Sequence, residues 1–169
     1  KAAAFSAPMW GIRFSPGVAP LARCLSHGAR VLGLGQRYAP GTNGATYVKI
    51  APFVGNVLTR DPETYAWMQN QVAQKPELAL GGSGLHWLYE ALRFCRDLAR
   101  PPAPDLPCLC FLGAEEKVVD PAPVAVRMAN WPKVRLELVP HAEHEIMMEI
   151  PSTRRRFYDL ATALFAQSS

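Results

Sequence analysis

"CLCFLGAEEKVVDPAPVAVRMANWPKVRLELVPHAEHEI", residues 108–146, changes texture several times, and the order of the changes decides the fold class. Cys108 to Leu112 is a short, wholly apolar run, as expected of a parallel strand covered on both faces. After the acidic turn at Glu115 and Glu116, Asp120 and Pro121 mark a helix start, a capping acid followed by proline at the first helical position. That helix is expected to run to Trp131. Val134 to Val139 then alternates Val, Leu and Leu against Arg and Glu until its last residue, so this strand is expected nearer a sheet edge. Strand, helix and strand in this order read as α/β with a parallel sheet.

Working outward, Ser152 is placed to cap a final helix whose Phe157, Leu160, Ala161, Leu164 and Phe165 face inward. On the other side, the linker "RPPAPDLP", residues 100–107, separates this unit from a helical region. There, "GGSG" at 81–84 breaks the chain before a helix with Leu85, Leu88, Leu92, Cys95 and Leu98 as its buried stripe. Asp61-Pro62-Glu63 opens another helix, with Tyr65, Met68 and Val72 on one face as far as Pro76. Residues 33–56 carry Gly and Pro every few positions and read as a loop, of a length that is usually functional or mobile. From Ser15 to Gly33, Val18, Leu21, Ala22, Leu25, Ala29 and Leu32 have helical spacing, and Ala2 to Ser6 reads as a short strand ended at Ala7-Pro8. The expected organisation is a core strand and following loop at 1–14, a helical lid or cap at 15–100, and core elements bearing the acid and histidine at 101–169.

The 169 residues, 49% hydrophobic and 19% charged, suffice for one domain with its own core. No apolar stretch approaches the roughly 20 residues that a bilayer core requires. The net charge of +4 is scattered over the chain, which argues against nucleic acid as a partner. Arg154-Arg155-Arg156 is expected to be a solvated helix face, with contact to an anionic headgroup as the alternative. The four cysteines form no C-x-x-C pair. Cys108 and Cys110 are expected to point to opposite faces of their strand and to stay unbonded, so reduced core thiols, a cytoplasmic setting and no zinc site are the reading.

Open parallel sheets place reactive groups just beyond the carboxyl ends of their strands. One strand here runs into Glu115, Glu116 and Asp120, and the next into "PHAEHEI", which offers His141, Glu143, His144 and Glu145. An acid on one strand end and a histidine on the next can form a charge-relay pair, in which the carboxylate fixes the imidazole tautomer and stabilises the imidazolium. The α/β-hydrolase order is Ser, acid, His. Acid and His follow in that order here, but no G-x-S-x-G precedes them, and "GGSGL" around Ser83 has Leu85 where the last Gly belongs. From the residues alone, Asp120 is a helix cap. Glu115 is solvated, or is the acid if the turn is displaced by one residue, and Glu116 is a turn residue or the acid. His141 rivals His144, and Glu145 and Glu149 read as charges on a short helical turn.

The segments "SAPMWGI", "NVLTRDPETYAWMQNQVAQKPELALGG", "HWLYEALR", "LGAEEKVVD" and "HAEHEIMME" together resemble the second half of bacterial lysophospholipases of the PldB type, relatives of the monoacylglycerol lipases among the α/β-hydrolases. The resemblance runs over nearly the whole chain. It implies that the family's N-terminal half, with its oxyanion-hole turn and nucleophile elbow, lies upstream of Lys1. It also implies that the triad acid falls on Glu116, in G-x-x-[DE]-x-V-V-D, and the triad histidine on His144, before Glu145 and Ile146. Most relatives have Asp where Glu116 stands and Gly where His141 stands, and "GGSG" replaces the family's Gly-Gly-Pro-Thr. The lid residues Trp10, Phe14, Phe53, Trp67, Met68 and Trp87 would then line an acyl groove as well as pack the lid.

The expected function is a Ser-His-acid carboxylic ester hydrolase acting on lysophospholipids or monoacylglycerols, without a cofactor, in the cytoplasm and in peripheral contact with the inner membrane. The alternatives are a non-catalytic lipid-binding or interaction module, and a hydrolase of another ester, epoxide or peptide class on the same fold. A half-sheet leaves an edge that a further strand should cover, so the chain expressed alone is expected to aggregate or self-associate. A monomer by sedimentation with a cooperative melt would contradict this.

Overall fold

The apolar run that begins at Cys108 is the centre of the sheet. In the computed structural model, which describes residues 1–167, Cys108–Gly113 forms β2, and all its residues are buried. A strand so enclosed must satisfy its backbone groups through neighbours, because no water reaches them. Ala3–Ser6, β1, lies parallel on one side, with Ala3 opposite Cys108 and Ser6 opposite Phe111. Val134–Val139, β3, lies parallel on the other, with Cys108 opposite Val134 and Gly113 opposite Val139. The order of this three-stranded sheet is β1-β2-β3, so β3 is an edge among the described residues.

The helices in chain order are α1 (Val18–Val31), α2 (Tyr47–Ile50), α3 (Pro62–Gln74), α4 (Leu85–Leu98), α5 (Pro121–Ala129) and α6 (Pro151–Gln167). One face of β2, Cys108, Cys110 and Leu112, packs against Val124 and Met128 of α5 and against Trp131. The other, Leu109 and Phe111, packs against Ile146 and against Phe157 and Ala161 of α6. Cys108 and Cys110 thus share a face, contrary to expectation, because side chains two apart on a strand point the same way. Both are free thiols, pushed by burial to about 11 and about 12, far from the thiolate form that reacts.

Helix starts follow local chemistry. Asp61 accepts from the N–H groups of Glu63 and Thr64 ahead of α3, and Asp120 accepts from Ala122 N–H at 3.0 Å ahead of α5. Helix α6 begins at Pro151, so Ser152 lies inside its first turn instead of capping it. Phe157 and Ala161 face inward as expected, whereas Phe165 is 47% exposed.

The helical region departs further from its pattern. In α1 the buried residues are Ala22, Ser26 and Ala29, while Leu21 and Leu32 are 67% and 72% exposed. The small residues are the ones that meet α4, since Ala22 and Ala29 cluster with Leu85 and Leu88. The segment 33–56 contains α2 and is pinned to "GGSG": Ala39 N–H donates to Ser83 O at 2.9 Å, and Thr42 Oγ1 donates to the same carbonyl at 2.9 Å. A Cβ on Gly82 would lie 2.5 Å from Thr42 Cβ, which explains glycine there.

Gly113 closes β2 where two turns cross. A side chain there would strike the carbonyl oxygens of Ala142 and Glu143. Backbone cannot yield as a flexible side chain can, so Gly113→Ala is expected to destabilise by about 3 kcal/mol, the upper end of overpacking costs. A fall in urea midpoint at unchanged m-value checks it.

Candidate active site

The acid turn is built by Glu116 itself. Its Oε1 accepts from the N–H groups of Val118 and Val119 at 2.7 and 3.0 Å, which curls the chain so that the carboxylate is buried. The segment after β1 clamps this turn: Ile12 bridges Val119, Gly11 O accepts from Asp120 N–H at 3.0 Å, and Arg13 donates to Glu116 O at 2.7 Å. "SAPMWGI" thereby leads from a core strand directly onto the acid turn.

The histidine turn follows β3. Ala142 is fully buried, its carbonyl accepting from Glu115 N–H at 3.0 Å, so the two turns touch through the main chain. His144 is brought to Glu116, Nδ1 lying 2.8 Å from Oε2, with the Glu116 side chain 1% exposed and that of His144 18%. An ionised carboxylate only accepts, so Nδ1 carries the proton and the neutral ring keeps its lone pair on Nε2. Among the described residues Nε2 makes no hydrogen bond.

The other residues of the two turns stand apart from this pair. Glu115 is exposed, and Asp120 is occupied in capping α5. His141 is exposed and holds the left-handed conformation, φ 60°, that favours glycine. Glu143 reaches Lys117 across the turns at 3.5 Å.

Burial opposes charge on both partners, and the partners overcome it. For Glu116, burial raises the pKa, but the His144 hydrogen bond, the Val119 and Val118 N–H groups and the imidazolium charge bring it below the ordinary carboxylate value. For His144, burial lowers the pKa, but the hydrogen bond and charge of Glu116, joined by Glu145, raise it above the ordinary histidine value.

Sequence reasoning missed the burial of another carboxylate. Glu149, read as a turn charge, is 0% exposed. Its Oε1 accepts from Glu143 N–H at 2.9 Å and Arg60 N–H at 3.2 Å, and its Oε2 accepts from Ile150 N–H at 3.1 Å. Arg154, expected to be solvated, joins α6 to α3 through Asp61 at 3.0 Å and Thr64 at 2.6 Å, and Arg156 pairs with Glu137 at 2.7 Å. The available signal was Glu149 between Met148 and Ile150, a lone charge in an apolar stretch.

The aromatics expected to line a lid divide by environment. Trp10 stacks with Trp131 and meets Phe5 edge-on, so it belongs to the core beneath β1. Phe53 packs against the buried Tyr65, while Trp67 and Trp87 are about half exposed.

The family described as Hydrolase_4, serine aminopeptidase S33, matches residues 1–151. The probable lysophospholipase L2 of Haemophilus influenzae is 30% identical over 126 residues, 74% of this chain and 39% of that protein. A soluble variant of the monoglyceride lipase of Saccharomyces cerevisiae, in complex with a substrate analog, matches 98% of this chain and 55% of its own at a TM-score of 0.65 and 15% identity. The monoacylglycerol lipase of Paleococcus ferrophilus matches 98% of this chain and 58% of its own at 0.64 and 15%. These two structures establish the fold, a portion of the α/β-hydrolase architecture. The chain spans 39% of the curated relative and somewhat over half of each lipase.

The pH dependence of the pair follows from its directions. The depressed Glu116 stabilises above the ordinary carboxylate range, and this is lost as pH falls through its lowered value. The raised His144 stabilises fully below about pH 6.5, and this is lost as pH rises through its raised value. Titration of His144 by NMR is expected to give a midpoint above about 6.5, falling in Glu116→Gln as the raising charge is removed. The same midpoint in both proteins would contradict the coupling.

Proposed function

Since this chain belongs to the Hydrolase_4 family, we propose that it is the acid- and histidine-bearing portion of a carboxylic ester hydrolase acting on lysophospholipids or monoacylglycerols. The observation that carries this reading is the 2.8 Å hydrogen bond between Glu116 and His144, on the turns that leave adjacent parallel strands. The lipid substrate class is supported by the lysophospholipase relative and by the lipases that share the fold.

In this mechanism the nucleophilic serine comes from a part of the hydrolase outside these residues, which contain no G-x-S-x-G turn. Its hydroxyl oxygen attacks the ester carbonyl while His144 Nε2 takes its proton. The tetrahedral intermediate collapses, the carbon–oxygen bond to the leaving alcohol breaks, and the imidazolium returns the proton to that alcohol. Water then attacks the acyl-enzyme, Nε2 takes its proton, and the serine is regenerated as the fatty acid departs. Glu116 keeps Nδ1 protonated throughout and stabilises the transient imidazolium. No metal or cofactor enters this sequence.

Residues 15–100 form the lid in this reading. Leu21, Leu32, Trp87 and Phe94 are exposed apolar side chains of this region, of the kind that peripheral contact with a membrane would bury. The absence of G-x-S-x-G from the chain is also what a non-catalytic lipid-binding module would have, and the same experiment separates the two.

The full-length protein is assayed with lysophosphatidylcholine and monoacylglycerol and treated with a fluorophosphonate. Hydrolysis, labelling of one serine, and a loss of about 10⁴-fold or more in His144→Ala are expected. In Glu116→Gln, the N–H groups of Val118 and Val119 retain the amide oxygen, so the amide NH2 faces Nδ1 and forces the proton onto Nε2. A kcat loss on the order of 10³-fold is expected from the wrong tautomer. No hydrolysis and no labelled serine would overturn the reading in favour of the module, and full activity in His144→Ala would overturn the role of His144.

kcat/KM is expected to rise with pH through the free-enzyme pKa of His144, whose midpoint lies above about 6.5 because Glu116 favours the imidazolium. A pH–rate profile with its ascending limb centred below about 6 would contradict this.

A further inference from the structure

The polypeptide around His144 is held from outside its own turn. His144 N–H donates to Val57 O at 3.3 Å and Glu145 N–H donates to Leu58 O at 2.7 Å, so residues 57–58 lie along the histidine turn. Segment 56–60 is itself locked by Asn56. Its Oδ1 accepts from Leu58 N–H and Thr59 N–H at 2.8 and 3.0 Å, and its Nδ2 donates to Thr59 O at 2.9 Å. Thr59 is fully buried and donates its hydroxyl to Met148 O at 2.8 Å.

Glu149 lies at the junction of these pieces. One carboxylate oxygen takes the N–H of Glu143, the residue before His144, together with the N–H of Arg60, the last residue of a strap formed by residues 57–60. The other oxygen takes Ile150 N–H and lies 3.6 Å from Arg60 Nε. Surface charges do not gather buried backbone donors from two distant segments. A carboxylate in this position forfeits its hydration and recovers it through fixed N–H groups.

We propose that Glu149 is a positioning residue, which sets the place of His144 by holding Glu143 and the 57–60 strap on a single carboxylate oxygen. This rests on the reading of His144 as the general base. Two anchors then define the imidazole. Glu116 orients the ring through Nδ1, and Glu149 fixes the backbone from which the ring projects. The strap runs directly into α3, so the helical region and the histidine turn share one anchor. Opening of that region that strains residues 57–60 would be felt at His144.

The test uses the full-length protein and two substitutions that differ in what they keep. Glu149→Gln retains an oxygen for the Glu143 and Arg60 N–H groups and is expected to stay within about threefold of wild-type kcat, a small loss for a preserved geometry. Glu149→Met keeps the shape but no acceptor, and is expected to lose about 10- to 100-fold in kcat with KM within about twofold. The Nδ1 proton resonance of His144 should shift in the Met protein and be retained in the Gln protein. A purely stabilising role would lower both melting temperatures while leaving kcat per folded molecule and the resonance unchanged, which would overturn the proposal.

Should the Met protein fail to fold, Glu149→Asp, which withdraws the carboxylate by one methylene, is read in the same assays. About tenfold lower kcat and a shifted resonance are then expected, and wild-type values for both would be fatal to the proposal. His144→Ala run alongside separates the failures. If it is fully active, the general-base reading falls. If it is inactive while Glu149→Met is wild-type, only the positioning role falls.

Discussion

A strand from which no residue reaches water imposes a strict condition, that every N–H and C=O of Cys108–Gly113 be paired within the protein. Parallel neighbours meet much of it, β1 along Cys108–Phe111 and β3 along the whole strand, and the helices packed on each face complete the enclosure. The polar turns follow from the same constraint. They form where β2 and β3 emerge, the first level at which charged groups find room. Gly113 brings these turns so close that only a hydrogen atom fits between its Cα and the Ala142 and Glu143 carbonyls. The separation of Glu116 and His144 is therefore set largely by backbone.

Two buried carboxylates are stabilised in different ways for different purposes. Glu116 divides itself between two N–H groups of its own turn and the imidazole. A hydrogen bond to a charged group contributes about 1.5–3 kcal/mol, enough to offset part of the burial cost while leaving a proton that can be held or shared. Glu149 is held by three backbone donors beside the Arg60 guanidinium and has no imidazole partner. One carboxylate acts on a side chain that titrates, the other on main chain that does not. A chemical device needs both kinds, because orientation of the ring is of little use if the backbone carrying it drifts.

Much of this was legible from short stretches. The starts of α3 and α5 could be read at Asp61-Pro62 and Asp120-Pro121, since a cap satisfies orphan N–H groups within one turn and owes little to the rest of the chain. The apolar run at 108–112 required burial on both faces, and the order of elements required a parallel sheet. Pairing an acid after one strand with a histidine after the next could be anticipated, because both follow strand ends and the family pattern marks Glu116 and His144. The stripe of α1 was legible only in part: its Ala22 and Ala29 meet α4, while its Leu21 and Leu32 stay exposed. Helical periodicity identifies a face but not the partner that will cover it. Arg154 and Glu149 were misread for a related reason, since each is defined by a residue about 90 positions away, Asp61 in one case and Arg60 in the other.

Local chemistry alone thus specified where helices begin, which strand is central, and that an acid and a histidine leave adjacent strand ends, while the family pattern picked Glu116 and His144 among them. Each of those statements depends on residues within a turn or two of one another. Long-range contact decided the remainder: that Cys108 and Cys110 lie under α5, that "NVLTRD" runs beside the histidine turn, and that Glu149 is enclosed. The sequence carries the donors and acceptors of this network, but the burial that makes them bind one another instead of water exists only once distant segments have come together.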